Sequence, residues 1–171
     1  TGTKESVVVC DLAARPAWIN DGGAGSGDDD GAPVVRQVVD EETLADFRHV
    51  AGTVFKKDYS FTTGELRQAL RDGSTEHRGY VAYAGAHGPP AAVGRLYTHP
   101  ESQFGGLYGG GTLAEFRGRG FYRATVAARA RDAVTSGARF LRVDALPTSQ
   151  PILARLGFIR LTDTWPCELR A

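Results

Sequence analysis

The sequence predicts a mixed α/β fold, in which one sheet carries the helices and a single long helix links two parallel strands at its centre. Two observations support this fold class. Segments rich in β-branched residues alternate with segments whose apolar residues recur every three or four positions. A strand, the longest helix and another strand follow in succession, which is a crossover connection, while the preceding strands are joined by short turns. The 171 residues suit one such domain, with 42% hydrophobic and 23% charged side chains.

The first predicted element is a strand at Val7–Cys10, a run dominated by β-branched residues. Trp18–Pro33 then offers little apolar surface to bury, and its Gly, Asp and Ser residues indicate a flexible linker. We therefore predict residues 1–33 to be a strand plus linker and residues 34–171 to be the main domain. The strand is expected either to end a preceding domain or to add to an edge of the main sheet. Because the chain contains no methionine, we expect that Thr1 is not a translation start and that the sequence is a fragment.

The main domain is predicted to begin with a strand at Val34–Val39, followed by two helices. Asp40 can accept a hydrogen bond from a backbone N–H group and so cap the first helix. The second helix is predicted to begin at Thr62 or Thr63 and to end at Gly73. The residues expected on the buried faces of these helices are Leu44, Phe47, Val50, Val54, Leu66 and Leu70.

The remaining elements surround the longest helix, which is predicted from Gly120 to about Ser136, with Gly137 as its C-terminal stop. Its buried stripe is predicted to comprise Val126, Ala130, Ala133 and Val134. Strands are predicted at Gly79–Ala84, Ala91–Tyr97, Leu107–Leu113, Phe140–Ala145, Phe158–Leu161 and Cys167–Leu169, and a short helix at Thr148–Leu156.

Charge and composition argue against several classes of function. Twenty basic and 20 acidic side chains give zero net charge, whereas proteins that coat nucleic acid or anionic membranes carry an excess of Lys and Arg. No apolar run reaches the ~18 residues that a membrane span needs, and no secretory leader opens the chain. Cys10 and Cys167 have no disulfide framework, so we expect free thiols and a cytoplasmic location. We expect no metal site, because the four histidines lack ligand spacing.

The most informative segment joins the glycine-rich strand to the longest helix, at Arg117-Gly118-Arg119-Gly120-Phe121-Tyr122. The first N–H groups of a helix have no partner within it, and the helix dipole places about half a positive charge there. Gly118 and Gly120 lack a Cβ, so an anion can approach these amides closely. Arg117 and Arg119 add charged donors. The segment is therefore predicted to hold a diphosphate, although a tight turn with two solvated arginines would have the same residues.

The same segment resembles the pyrophosphate loop of the GNAT acyltransferase superfamily, Arg/Gln-x-x-Gly-x-Gly/Ala. Ile152–Phe158 resembles the family's short helix ending in Leu-Gly-Phe, and the order of elements over Val34–Leu169 resembles its fold. The resemblance implies an acetyl-CoA or other acyl-CoA donor, whose pantetheine arm lies between two splayed parallel strands, Leu107–Leu113 and Phe140–Ala145. The residues implied for coenzyme binding are Gly110, Gly111, Thr112, Arg117, Gly118, Arg119, Gly120, Phe121, Tyr122 and Arg123, with Ser149 as a further contact or a helix cap.

Two positions depart from the family pattern. Tyr122 stands where the loop usually has Gly or Ala, so its side chain would either crowd the coenzyme or stack on it. Leu153 stands where many relatives carry a tyrosine that acts as general acid on the departing thiolate. A thiolate still leaves acceptably without that acid, because its thiol has a pKa of about 8.5. The leading candidate for the general base is Asp144, which would otherwise be a strand-end carboxylate paired with Arg142 or Arg139. Weaker candidates are Tyr108, His99 and Glu115.

The sequence thus predicts an acetyl-CoA-dependent N-acetyltransferase acting on an unidentified amine, a small molecule or a peptide, with no nucleic acid or membrane partner. The early helices flank the acceptor site in this fold, so Tyr59 and Phe61 are candidates to line it. The alternative is a catalytically impaired, GNAT-like module that binds coenzyme A or regulates a larger tandem protein, of which this chain would be the C-terminal half. A third possibility is that the loop binds a different phosphorylated ligand.

Overall fold

The computed structural model describes residues 2–20 and 31–167, which form one mixed sheet with helices on both faces. The mixed α/β fold class predicted from the sequence is confirmed. Along the chain the elements are β1 Glu5–Asp11, β2 Pro33–Gln37, α1 Glu41–Phe55, α2 Ser60–Arg71, β3 His77–Ala84, β4 Pro90–Thr98, β5 Phe104–Thr112, α3 Phe121–Thr135, β6 Phe140–Ala145, α4 Gln150–Arg155 and β7 Ile159–Thr164. In space the strands lie in the order β2-β3-β4-β5-β6-β1-β7.

The centre of the sheet contains the parallel pair that the crossover helix requires. β5 pairs with β6 in parallel, and the other pairings among the described residues are antiparallel. The β5–β6 register runs from Phe104 opposite Phe140 to Leu107 opposite Val143 and stops there, although both strands continue. The prediction of two splayed central parallel strands is therefore confirmed, and the gap opens at their carboxyl ends.

The amino-terminal strand lies inside the sheet. β1 pairs antiparallel with β6 on one side and with β7 on the other, so it separates these two strands. Val8 and Cys10 join the core on the face that carries α3, while Val7 and Val9 point to the opposite face and are half-buried. The expected position at an edge of the sheet is wrong, because β1 has a hydrogen-bonded neighbour on each side.

Two helices cover each face of the sheet. α1 and α2 pack on one face, and α3 and α4 pack on the other. Asp40 caps α1 as predicted, because its carboxylate accepts a hydrogen bond from the Thr43 N–H while Thr43 Oγ1 accepts one from the Asp40 N–H. α2 begins at Ser60, earlier than predicted, where the Asp58 carboxylate accepts a hydrogen bond from the Ser60 N–H. Of the predicted helix faces, Leu44, Phe47, Val50 and Leu66 are buried, Val54 is partly buried and Leu70 is exposed.

The longest helix, α3, is buried on more than one side. Every residue from Ala124 to Ala130 is less than a tenth exposed, because the sheet covers one side of the helix and residues 12–20 cover another. The predicted single stripe was therefore too narrow. Val134, which the pattern placed in that stripe, is 49% exposed, so this part of the prediction was wrong.

The start of the predicted linker belongs to the core. Trp18 and Ile19 are buried, and the Trp18 indole Nε1–H donates a 2.7 Å hydrogen bond to the Leu156 carbonyl oxygen. The indole ring also stacks on Phe158, with 6.2 Å between the ring centroids. The prediction that a flexible linker begins at Trp18 was wrong, because this part of the chain covers α3. Residues 21–30 of the predicted linker lie outside the described residues.

The cysteines are free thiols as expected, with Cys10 buried in β1 and Cys167 exposed. The predicted last strand, Cys167–Leu169, falls mostly outside the described residues, and Cys167 itself is not in a strand. Within residues 2–20 and 31–167, no helix combines the length and the apolar character needed to cross a membrane.

Candidate functional site

A cleft opens where β5 and β6 separate. β5 carries a bulge there, since the register against β4 shifts between Val93, opposite Gly111, and Arg95, opposite Tyr108. Gly109, within the bulge, has a φ of +56°, a conformation that favours glycine. The resulting cavity measures about 320 Å³ and is lined by Glu5, Phe55, Leu107, Tyr108, Gly109, Gly110, Tyr122, Arg129, Val143, Asp144, Leu146 and Ser149. This volume lies at the lower end of the roughly 300–1,000 Å³ typical of ligand pockets.

The predicted diphosphate loop ends at the helix start that borders this cleft. Gly118 and Gly120 have φ values of +75° and +86°, and a Cβ built on either residue would meet no atom within 4 Å. Among the described residues, nothing accepts a hydrogen bond from the N–H groups of Gly118, Gly120 or Tyr122. These amides, unpaired within the described residues, lie at the positive end of the α3 dipole, which is the arrangement that binds phosphate groups.

The two loop arginines are held differently. Arg117 is exposed, and its Nε donates a 3.3 Å hydrogen bond to the Thr112 carbonyl oxygen. The Arg119 guanidinium lies over the rings of Phe116 and Phe121, at 5.3 and 5.5 Å from their centroids. Phe121 is itself buried, so only its backbone can face a ligand, whereas Arg123 is exposed on the first turn of α3. These four residues are absent from the cleft lining, to which this segment contributes Tyr122.

The glycine run of β5 has a different neighbour at each position. A Cβ on Gly110 would lie 3.0 Å from the Tyr122 ring and 3.4 Å from Arg129 Nη2. A Cβ on Gly111 would lie 2.6 Å from Val54, so this glycine lets α1 approach the sheet. Thr112 Oγ1 is buried without a hydrogen-bond partner in the described structure. A buried hydroxyl without a partner beside open amides is consistent with a polar ligand at this position.

Tyr122 lines the cleft and does not point into solvent. Its hydroxyl shares a hydrogen bond with the Ser149 hydroxyl. Burial raises the pKa of Tyr122 above its ordinary value, and the nearby Arg129 charge and the Ser149 hydrogen bond partly offset that rise. Ser149 occupies the N-cap position of α4 but its side chain makes no cap hydrogen bond and donates instead to the Leu146 carbonyl oxygen. The expected capping role of the Ser149 side chain was therefore wrong.

Arg129 is a site residue that the sequence analysis missed. It is 1% exposed, and burial lowers its pKa below the ordinary arginine value. Its guanidinium donates to the Thr125 and Arg95 carbonyl oxygens, and within the described residues no carboxylate pairs with it. A Cβ on Gly94 would lie only 2.5 Å from Arg129 Cζ, so Gly94 leaves space for the guanidinium. The available sequence signal was its place in the alanine-rich segment Ala124–Ala130, since the glycines that make room for it lie in distant strands.

Asp144, the predicted base, lies in the cleft wall with its carboxylate occupied. Arg142 Nη2 donates to both Asp144 carboxylate oxygens at 2.9 Å. Leu141 and Val143 point into the core on the other face of β6. Leu153 is fully buried in the core and supplies no polar group to the cleft.

The weaker base candidates do not gather at one point. Tyr108 lines the cleft, while His99 and Glu115 are exposed and are absent from its lining. Of the two candidate acceptor residues, Tyr59 stacks on Phe55, which forms part of the cleft wall, whereas Phe61 is 79% exposed. Among the described residues, no cluster of three His, Cys, Asp or Glu side chains could hold a metal ion.

No protein-family model and no curated protein matches the chain. Solved structures do match it. AAC(6')-Iy, solved with the bisubstrate analog CoA-S-monomethyl-acetylneamine, is 19% identical with a TM-score of 0.69, covering 81% of this chain and 99% of its own. The GCN5-related N-acetyltransferase from Kribbella flavida is 15% identical with a TM-score of 0.62, covering 94% of this chain and 56% of its own. A tandem GNAT protein from the clavulanic acid biosynthesis pathway is 16% identical with a TM-score of 0.64, and the match covers 94% of this chain and 51% of the tandem protein.

These likenesses identify the fold. The chain has the fold of the GNAT N-acetyltransferases, and the resemblance noted in its sequence is confirmed at that level. The chain spans only a little more than half the length of the two longer structures.

Proposed function

We propose that this chain is an N-acyltransferase that transfers an acetyl group from acetyl-CoA to an amine. The observation that carries the proposal is the continuity between a phosphate-binding helix start and the cleft between β5 and β6. Tyr122 belongs to both, since it lies on the first turn of α3 and lines the cleft. The likeness to AAC(6')-Iy, solved with a CoA-containing bisubstrate analog, supports coenzyme A as the ligand.

In this proposal, the amides of Gly118 and Gly120 hold the diphosphate, with Arg117, Arg119 and Arg123 around it. The pantetheine arm enters the cleft beside Gly110, Gly111 and Thr112, with Ser149 as a further contact. The protein then needs to position the thioester carbonyl against the amine, to accept the amine proton and to stabilise the developing oxyanion. The thiolate leaves without a dedicated acid, because a thiol pKa of about 8.5 makes it an adequate leaving group.

The test compares two glycines at opposite ends of α3. Gly120 and Gly137 have nearly the same φ, +86° and +85°, and open space around both. We expect Gly120→Asp to abolish acetyl-CoA binding, because its carboxylate would repel the diphosphate, and Gly137→Asp to preserve binding. Acetyl-CoA at about 100 times its Kd should stabilise the wild type by about 2.7 kcal/mol, or about 5–11 °C in Tm.

Isothermal titration checks the same binding directly, and the variants' Tm values without ligand control for folding. The proposal fails if the folded wild type does not bind acetyl-CoA at millimolar concentration, or if Gly137→Asp abolishes binding as completely as Gly120→Asp.

A second function, a coenzyme-A-binding module without turnover, is favoured by two observations. Leu153 is buried and offers no acid, and Asp144 is already paired with Arg142. Thiol release from acetyl-CoA in the presence of a panel of amines, including aminoglycosides, peptides with free amino termini and lysine peptides, separates the two functions. The acceptor class, the cytoplasmic location and the division at residue 33 stay predictions.

A further inference from the structure

The amino-terminal strand brings a carboxylate into the cleft. β1 runs antiparallel to β6, with Ser6 opposite Ala145 and Val7 opposite Asp144. The first residue of β1, Glu5, therefore lies beside the carboxyl end of β6, where the gap opens, and it lines the cavity together with Asp144 and Tyr108. More than 130 residues of sequence separate Glu5 from Val143 and Asp144, the two residues of β6 that line the cleft. The pairing of β1 with β6 brings them together.

The Glu5 carboxylate differs from its neighbours in having no partner. Asp144 is held by Arg142, and Asp163, at the other side of β1, is held by Lys4 and Arg160. Within residues 2–20 and 31–167, the Glu5 carboxylate makes no hydrogen bond or ion pair. Both carboxylate oxygens of Asp144 already accept a hydrogen bond from Arg142, whereas those of Glu5 are available to an amine or to a water beside it. Of the two cleft carboxylates, Glu5 is therefore the one placed to accept a proton.

We propose that Glu5 is the general base of the acyl transfer, a role that rests on the proposed function. The carboxylate attracts the cationic amine into the cleft, where the ammonium first releases one proton to solvent. As the resulting neutral amine attacks, Glu5 takes a second proton from its nitrogen, directly or through one water. The nitrogen lone pair forms the new bond to the thioester carbonyl carbon, and the carbon–sulfur bond breaks with its electron pair on sulfur. The proton passes from Glu5 to the thiolate, which regenerates the carboxylate and releases the amide and free thiol.

The experiment measures thiol release from acetyl-CoA with an amine that the wild type acetylates. Glu5→Gln keeps the shape of the side chain and removes its basicity, so kcat/KM is expected to fall about 10²–10⁴-fold. Acetyl-CoA affinity should change far less than kcat/KM, because Glu5 belongs to β1 and not to the segment 117–123 that is proposed to hold the diphosphate. Glu5→Asp should recover part of the rate, and added formate should partly rescue Glu5→Ala. Glu101→Gln, which removes an exposed acidic residue between β4 and β5, is the charge-matched control.

The outcomes separate this inference from the proposed function. If Glu5→Gln turns over at the wild-type rate, or if Asp144→Asn alone abolishes turnover, Glu5 is not the base although the transferase function stands. If the wild type acetylates no amine of the panel, both proposals fail. A fall in rate without rescue by formate or by Glu5→Asp would indicate a structural role for Glu5 and would also overturn the inference.

Discussion

Replacing Trp18 by alanine tests whether residues 12–20 are part of the folded core. Trp18 is 7% exposed, stacks on Phe158 and donates to the Leu156 carbonyl oxygen. Removing a buried aromatic ring costs about 3–5 kcal/mol through lost burial and the cavity that remains. For a domain of this size, each kcal/mol corresponds to about 2–4 °C, so we expect Trp18→Ala to lower the Tm by about 6–20 °C. Circular dichroism during heating and urea unfolding measure this change.

The chain supplies its own control, since its other tryptophan, Trp165, is 50% exposed. The Lys4 ammonium lies 5.8 Å from the Trp165 ring centroid, a cation–π contact worth about 0.5–1 kcal/mol at an exposed site. Trp165→Ala should therefore lower the stability by about 1 kcal/mol or less. Equal losses in the two variants would mean that Trp18 does not pack against Phe158, and the sequence expectation of a linker from residue 18 would be restored.

Two further predictions concern β1. Arg160 and Lys4, with Ser6, hold the pKa of Asp163 well below its ordinary value. The ionised carboxylate therefore stabilises the fold above the unfolded pKa of about 3.9. This contribution is lost as the pH falls through the folded pKa. Asp163→Asn should lower the Tm at pH 7 and differ progressively less from the wild type below about pH 4; a gap that stays constant down to pH 2 would contradict this. Burial raises the pKa of the Cys10 thiol, whereas Cys167 is exposed. A thiol reagent should therefore modify Cys167 in the folded chain and Cys10 only in denaturant. Equal rates of modification at both cysteines would show that β1 is not buried in the sheet.

The strands and helices of the main domain could be predicted because each has a local signal. Phe140–Ala145 was predicted with the bounds that β6 has, and Asp40 was identified as the cap of α1 from its residue type and position. Gly118 and Gly120 could be singled out because positive φ and an open approach to the backbone are properties of single residues. Where geometry depends on a few consecutive residues, the sequence was sufficient.

The remaining features depend on contacts between distant residues. No local pattern distinguishes a strand at an edge from one inserted between two others, so the place of β1 could not be predicted. Trp18 stands just before a Gly- and Asp-rich stretch, and only its contacts with Leu156 and Phe158 show that it is buried. The burial of Arg129 likewise depends on Gly94 and Gly110 in two strands of the sheet.

The position of β1 links the fold to the proposed chemistry. β7 is held in the sheet through β1, because β1 lies between β7 and β6. The same strand places Glu5 in the wall of the cleft. A chain that began at residue 34 would therefore leave the facing edges of β6 and β7 unpaired and would also lack the one cleft carboxylate that has no partner among the described residues. The Glu5→Gln substitution in the full chain keeps the strand pairing of β1 and removes only the cleft carboxylate. A loss of turnover without a loss of stability would therefore show that β1 has a chemical role in addition to its structural one.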